Sequence, residues 1–222
     1  MRKCYFHFVE MSLARSRASP NARRGSPLAV YLLTALVALG CVAIAQGVES
    51  ERLAVPRPLA AVSRSHLATV LWLIAFCALF LPAALRYDIG VDYSATMESA
   101  GYLGYVQMFE TYAHAPMAPG MDVGFYALIR LLGLVTDNPQ WMFAVLAAIT
   151  YALVLRACRR LSVSPMLSLA LFLVAGLYLE SYNIARQWVA IACVLNGLAA
   201  VRRDVGDEAM AGEAWRRFAR YA

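Results

Sequence analysis

Long charge-free stretches limit what this chain can fold into more than any motif does. No Asp, Glu, Lys or Arg occurs from Gly25 to Val48, from Pro139 to Leu155 or from Leu161 to Leu179, and Ser65 to Leu85 holds only His66 among ionisable nitrogen bases. A hydrocarbon core takes roughly 20 apolar residues to cross, within a range of about 17–25. Lipid offers no partner to backbone N–H and C=O groups, so each stretch has to be helical. A soluble helix would carry a polar face at 3.6-residue spacing, and these stretches carry none. Of the whole chain, 15% of residues are charged, where a soluble domain has about 25%. The sequence predicts an all-α fold, a polytopic transmembrane helical bundle.

The expected order is a basic tail over 1–27, a transmembrane domain over 28–201 and a charged tail over 202–222. About five spans are predicted: Leu28 to Ala45, Leu67 to Leu85, Pro139 to Leu155, Leu161 to Leu179 and Tyr182 to Val201. Val123 to Val135 is apolar except for Arg130, but a run this short suits a re-entrant or interfacial helix better than a span. Thr136-Asp137-Asn138-Pro139 reads as a turn and helix start. The basic start and Ala43-Ile44-Ala45 superficially fit a secretory signal peptide, yet the apolar run is longer than the usual 7–15 or so residues.

The net charge of +6 comes from arginines set beside apolar stretches. Such arginines read as topology signals, and nucleic acid is not expected as a partner. They place the 46–66 connector, Arg156/Arg159/Arg160 and Arg202/Arg203 in the cytoplasm and the acidic loop outside, although the N-terminal tail, with six basic residues, then also lies outside. The five cysteines are widely separated and show no ligand spacing with histidine, so neither a disulfide framework nor a metal site is expected. His66 and His114 have no evident partner, and no GxSxG, HExxH or P-loop pattern is present.

Residues 86–122 are the only substantial polar segment between spans. One arginine, Arg86, stands there against Asp88, Asp92, Glu98, Glu110 and Asp122, with Tyr93, Tyr102, Tyr105, Phe109 and Tyr112 interleaved. An arginine at a membrane boundary can grip phosphate with two parallel hydrogen bonds, or simply anchor at the headgroups. Asp122 could do no more than favour the start of the short apolar helix. Asn183, Arg186 and Gln187 fall at i, i+3 and i+4 at the opening of the last span, which would put them on one helix face. Fixed positive charge plus amides suits a pyrophosphate or sugar hydroxyls, and a structural ion pair of Arg186 with Glu180 is the plainer alternative.

Three motifs together resemble the EpsG family, which is related in role to Wzy O-antigen polymerases. They are Arg86 with Gly90-Val91-Asp92-Tyr93 after the second span, Asp122-Val123-Gly124-Phe125, and Asn183-Ile184-Ala185-Arg186-Gln187 opening the last. The family often has Glu where Asp122 stands. The resemblance implies a glycosyltransferase-type polymerase of undecaprenyl-diphosphate-linked repeat units, at the periplasmic face of the bacterial inner membrane, needing no cofactor. It implies Asp92, then Asp122, as the carboxylate acting on the acceptor hydroxyl, and Arg186 and Arg86 as the diphosphate clamp. Tyr93, Asn183 and Gln187 would position substrate. Partners would be the polyprenyl-diphosphate-linked oligosaccharide, membrane lipid and polysaccharide-export proteins. The competing class is a non-enzymatic component or transporter subunit of an export system; a membrane O-acyltransferase would need a membrane histidine, and none is found. Family members run on for further spans, so the basic-aromatic end at Arg216 to Ala222 is expected to lead into a missing helix.

Overall fold

The computed structural model describes residues 27–50, 64–86, 89, 92–93 and 103–204. The two tails lie outside the described residues except for Pro27 and 202–204, as do Gly90-Val91 and the loop residues 94–102. The chain divides into two compact units, Met1–Leu32 and Leu33–Ala222. The first contributes only the opening turns of α1 to the described residues.

Every regular element among the described residues is helical. They are α1 (Pro27–Glu49), α2 (Arg64–Ala84), α3 (Tyr105–Tyr112), α4 (Val123–Gly133), α5 (Gln140–Leu161), α6 (Pro165–Val174), α7 (Leu177–Glu180) and α8 (Ala185–Asp204). Three of them, α1, α2 and α5, are long and apolar enough to cross a membrane. Large apolar side chains such as Leu36, Leu73, Leu171 and Val194 face outward, which suits a lipid solvent and would be costly in water. The fold is the helical membrane bundle expected.

Side-chain bonds sort the second unit into two ends. At one, Gln140 Nε2 donates to the Ala84 carbonyl and, at 3.0 Å, to that of Arg86, while Arg86 Nη1 donates to the Tyr182 carbonyl at 2.5 Å. The end of α2, the start of α5 and the α7–α8 turn therefore meet. At the other, Arg159 pairs with Glu49 at 2.8 Å, Trp72 Nε1 donates to the same carboxylate at 3.3 Å, and the Met166 amide reaches Gln46 at 3.4 Å. Helices α5 and α8 leave the first end side by side, tied by Asn196 Nδ2 to the Leu153 carbonyl at 2.8 Å. The C-terminal part of α8 thus shares an end with Arg159.

Two of the five predicted spans differ. Residues 161–179 are not a single helix: Leu161 closes α5, Ser162 to Ser164 turn the chain, and α6 stops at Val174. Gly176 takes φ +76°, a left-handed conformation that glycine adopts without a Cβ clash. The chain still returns from Gln46 to Arg86 across this segment, but in two pieces. The last helix also begins at Ala185 instead of Tyr182, and its apolar part, Ala185–Val201, is shorter than a full span.

Helix α4 does not cross. Its 11 residues reach about 16 Å at ~1.5 Å each, and Gln140 brings the chain back to the end it left at Arg86. Arg130 Nη1 donates to the Ala113 carbonyl at 2.8 Å, and Gly133 lies against Ala113, where an added Cβ would sit 2.8 Å from Ala113 Cβ. Gly133→Val is expected to cost roughly 1–3 kcal/mol by overpacking, read as a lower unfolding midpoint in detergent. In a cysteine-free background, cysteines placed at His114 and Arg160 are expected to label from opposite sides of the membrane; labelling from one side would refute the two-ended arrangement.

Candidate functional site

Arg86 leaves α2 just where an arginine can reach inward, and it is 4% exposed. Besides its bond to Tyr182, its guanidinium lies over the Phe143 ring at 4.4 Å and the Tyr182 ring at 5.1 Å. Burial lowers its pKa from the ordinary value, though arginine keeps its charge at any physiological pH. A small cavity of about 10 Å³ beside it is lined by Thr150, Tyr151, Ser181 and Tyr182, room for about one water molecule. Hydroxyl bonds continue from there: Tyr151 to Ser181 at 2.7 Å, Tyr182 to Tyr178 at 2.7 Å, and Tyr178 to the Leu79 carbonyl at 2.9 Å. This polar knot fastens α2, α5 and the α7–α8 turn together.

Arg186 sits in the first turn of α8 and is more open. Its Nη1 lies 2.9 Å from Asp122 Oδ2, with side chains 30% and 69% exposed respectively. The guanidinium also rests over Phe125 at 4.9 Å and Tyr105 at 5.8 Å. Asp122 occupies the N-cap position of α4 but makes no capping bond; its carboxylate turns to Arg186 instead. The plainer pairing of Arg186 with Glu180 gives way to this one.

Tyr105 joins the two halves. Its amide donates to the Asp92 carbonyl at 2.8 Å, and its hydroxyl accepts from the Arg186 amide at 3.4 Å. Its ring meets Phe125 and Phe143 edge-on. Tyr93 stacks on the other side of this group, 4.9 Å from Phe143, and its carbonyl accepts from Val106 at 3.2 Å. Asp92 is half-buried and Tyr93 is buried.

The structure therefore gathers Arg86, Asp92, Tyr93, Asp122, Asn183 and Arg186 at one end of the bundle. Two details depart from the helical spacing. Asn183 lies in the turn before α8, its amide bonded to the Glu180 carbonyl at 2.9 Å, so it does not share a helix face with Arg186. Gln187 is exposed on α8. His114, which the sequence left without a partner, lies 3.1 Å from Asp137, both well exposed. Phe143 and Tyr182 were hidden in the sequence inside apolar runs, and only the aromatic interleaving of the acidic loop hinted at Tyr105.

The EpsG family model matches residues 69–205. The chain belongs to the EpsG family. No curated protein and no solved structure matches it. The EpsG match spans α2 to α8 and every residue of the site just described. It makes the chain a membrane protein of the polysaccharide-polymerase type.

The two arginines predict different mutational behaviour. Lysine cannot reproduce the planar stack and directed bond of a buried Arg86, so Arg86→Lys should cost roughly 2–4 kcal/mol. Asp122→Asn removes one partner of an exposed pair and should change stability by less than about 1 kcal/mol. Thermal unfolding of both variants in the same detergent tests the contrast.

Proposed function

We propose that the chain is a glycosyltransferase-type polymerase of polyprenyl-diphosphate-linked sugar repeat units, working at the periplasmic face of the bacterial inner membrane in exopolysaccharide or O-antigen synthesis. The observation that carries this reading is the exposed Arg186–Asp122 pair at the mouth of α8. A solvent-exposed ion pair is worth about 0–1 kcal/mol. A diphosphate carries more negative charge than one carboxylate and accepts two parallel bonds from a guanidinium. Substrate can therefore take Arg186 from Asp122 at little cost.

In this scheme the bond between the sugar anomeric carbon and the diphosphate oxygen breaks, and the acceptor hydroxyl oxygen forms the new bond to that carbon. Negative charge grows on the departing diphosphate, where Arg186 stabilises it. The hydroxyl proton passes to a carboxylate, Asp92 first by its place beside Tyr105 and Asp122 second once released from Arg186. Arg86 and Tyr93, both buried, act as positioning residues: Arg86 holds the α7–α8 turn, and Tyr93 holds the Asp92 backbone against Phe143. Asn183 and the exposed Gln187 offer amides to sugar hydroxyls. Polysaccharide-export proteins and membrane lipid would be the neighbours of such a site.

Arg186→Lys keeps the charge but loses the fork, and polymer output should drop by about 10²–10³-fold. Asp92→Asn should lower it by about 10²–10⁴-fold. Both are read as polymer ladders from membranes supplied with the lipid-linked repeat unit. Near-normal ladders from Arg186→Lys would remove the two-bond clamp from the scheme.

A further inference from the structure

The group at the mouth of α8 that the motifs leave without a role is the hydroxyl of Tyr105. It accepts one bond, from the Arg186 amide at 3.4 Å. That amide belongs to the first turn of α8, where backbone N–H groups have no partner within the helix; the first helical bond in this turn is that of Trp188 to the Ile184 carbonyl. A phenol is both donor and acceptor. With its oxygen facing the amide, its own proton remains to be given to something else, and among the described residues no acceptor for it is recorded. The ring is fixed: Tyr105 is 4% exposed and is wedged edge-on against Phe125 and Phe143, while the main chain is pinned to Asp92. The hydroxyl cannot swing away, and the Arg186 guanidinium lies over the same ring at 5.8 Å.

We infer that Tyr105 is a direct phosphate-contacting residue, its O–H donating to an oxygen of the diphosphate that Arg186 binds. The inference rests on the polymerase reading above and adds a substrate contact to it. The oxygen keeps the bond from the Arg186 amide while the proton turns to the ligand. The phenol thereby passes the partial positive charge of the α8 N-terminus to a phosphate oxygen the amide itself does not reach. No covalent bond is made or broken in Tyr105.

The test uses the full chain in lipid nanodiscs with farnesyl diphosphate as probe. Tyr105→Phe preserves the ring, its edge contacts and the cation–ring contact, and removes only the hydroxyl. It should keep the wild-type melting temperature without ligand and bind farnesyl diphosphate about tenfold or more weakly, the usual worth of a hydrogen bond to a charged group. Arg186→Lys serves as the reference for the clamp. With tyrosine labelled at the ring carbon bearing oxygen, the Tyr105 resonance should move on adding farnesyl diphosphate and stay still on adding farnesol. If Tyr105→Phe binds like wild type while Arg186→Lys is weakened, the hydroxyl contact is wrong and the clamp stands. If wild type itself does not bind farnesyl diphosphate, the contact falls together with the polymerase reading. A Tyr105→Phe protein with a lowered melting temperature and an unmoved resonance in the wild type would make the hydroxyl structural and overturn the inference.

Discussion

The bond from Arg86 to the Tyr182 carbonyl holds the polar end of this bundle together. A helix broken within a membrane bundle leaves carbonyls that lipid cannot satisfy. The return segment breaks at Gly176 and again after α7, and the second break releases the Tyr182 carbonyl close to the end of α2. A guanidinium meets that need because it brings several donors on one flat group. The cost of burying its charge is offset by the faces of Phe143 and Tyr182, each such contact contributing about 0.5–2 kcal/mol. Once the turn is fixed, α8 starts where Arg186 can meet Asp122.

The division of labour between the two arginines follows from solvent. Both are flanked by two aromatic rings, yet one is closed to water and bonded to the main chain, and the other is partly open and paired with a carboxylate. A buried arginine bonded to a carbonyl is a fixture. An open one with a weakly held counter-charge is exchangeable, which is what the proposed binding of a lipid-linked diphosphate requires.

Much of this was legible in the residues. Charge-free runs identified the embedded helices, because lipid leaves a chain no alternative to internal hydrogen bonding. The acidic loop and the Asn183–Gln187 motif pointed to the end where the polar residues gather. What could not be read was direction. Periodicity at 183, 186 and 187 suggests one helix face, but the helix starts only at Ala185, and helix ends are the least certain feature of a sequence pattern. The break at Gly176 was invisible because glycine inside an apolar run is common in membrane helices, and only the backbone angle reveals its use. The Asp122–Arg186 pair joins residues 64 positions apart, and nothing local in either motif names the other as partner.

The two bonds from Gln140 to the carbonyls of Ala84 and Arg86 bring the segment bearing α3 and α4 back to the place where it left the bundle, and Phe143 and Arg186 fasten it there through Tyr93, Tyr105 and Asp122. The segment and the helices beneath it are therefore set in register together. Phe143 is the pin of that arrangement, since Tyr93, Tyr105 and the Arg86 guanidinium all rest on its ring.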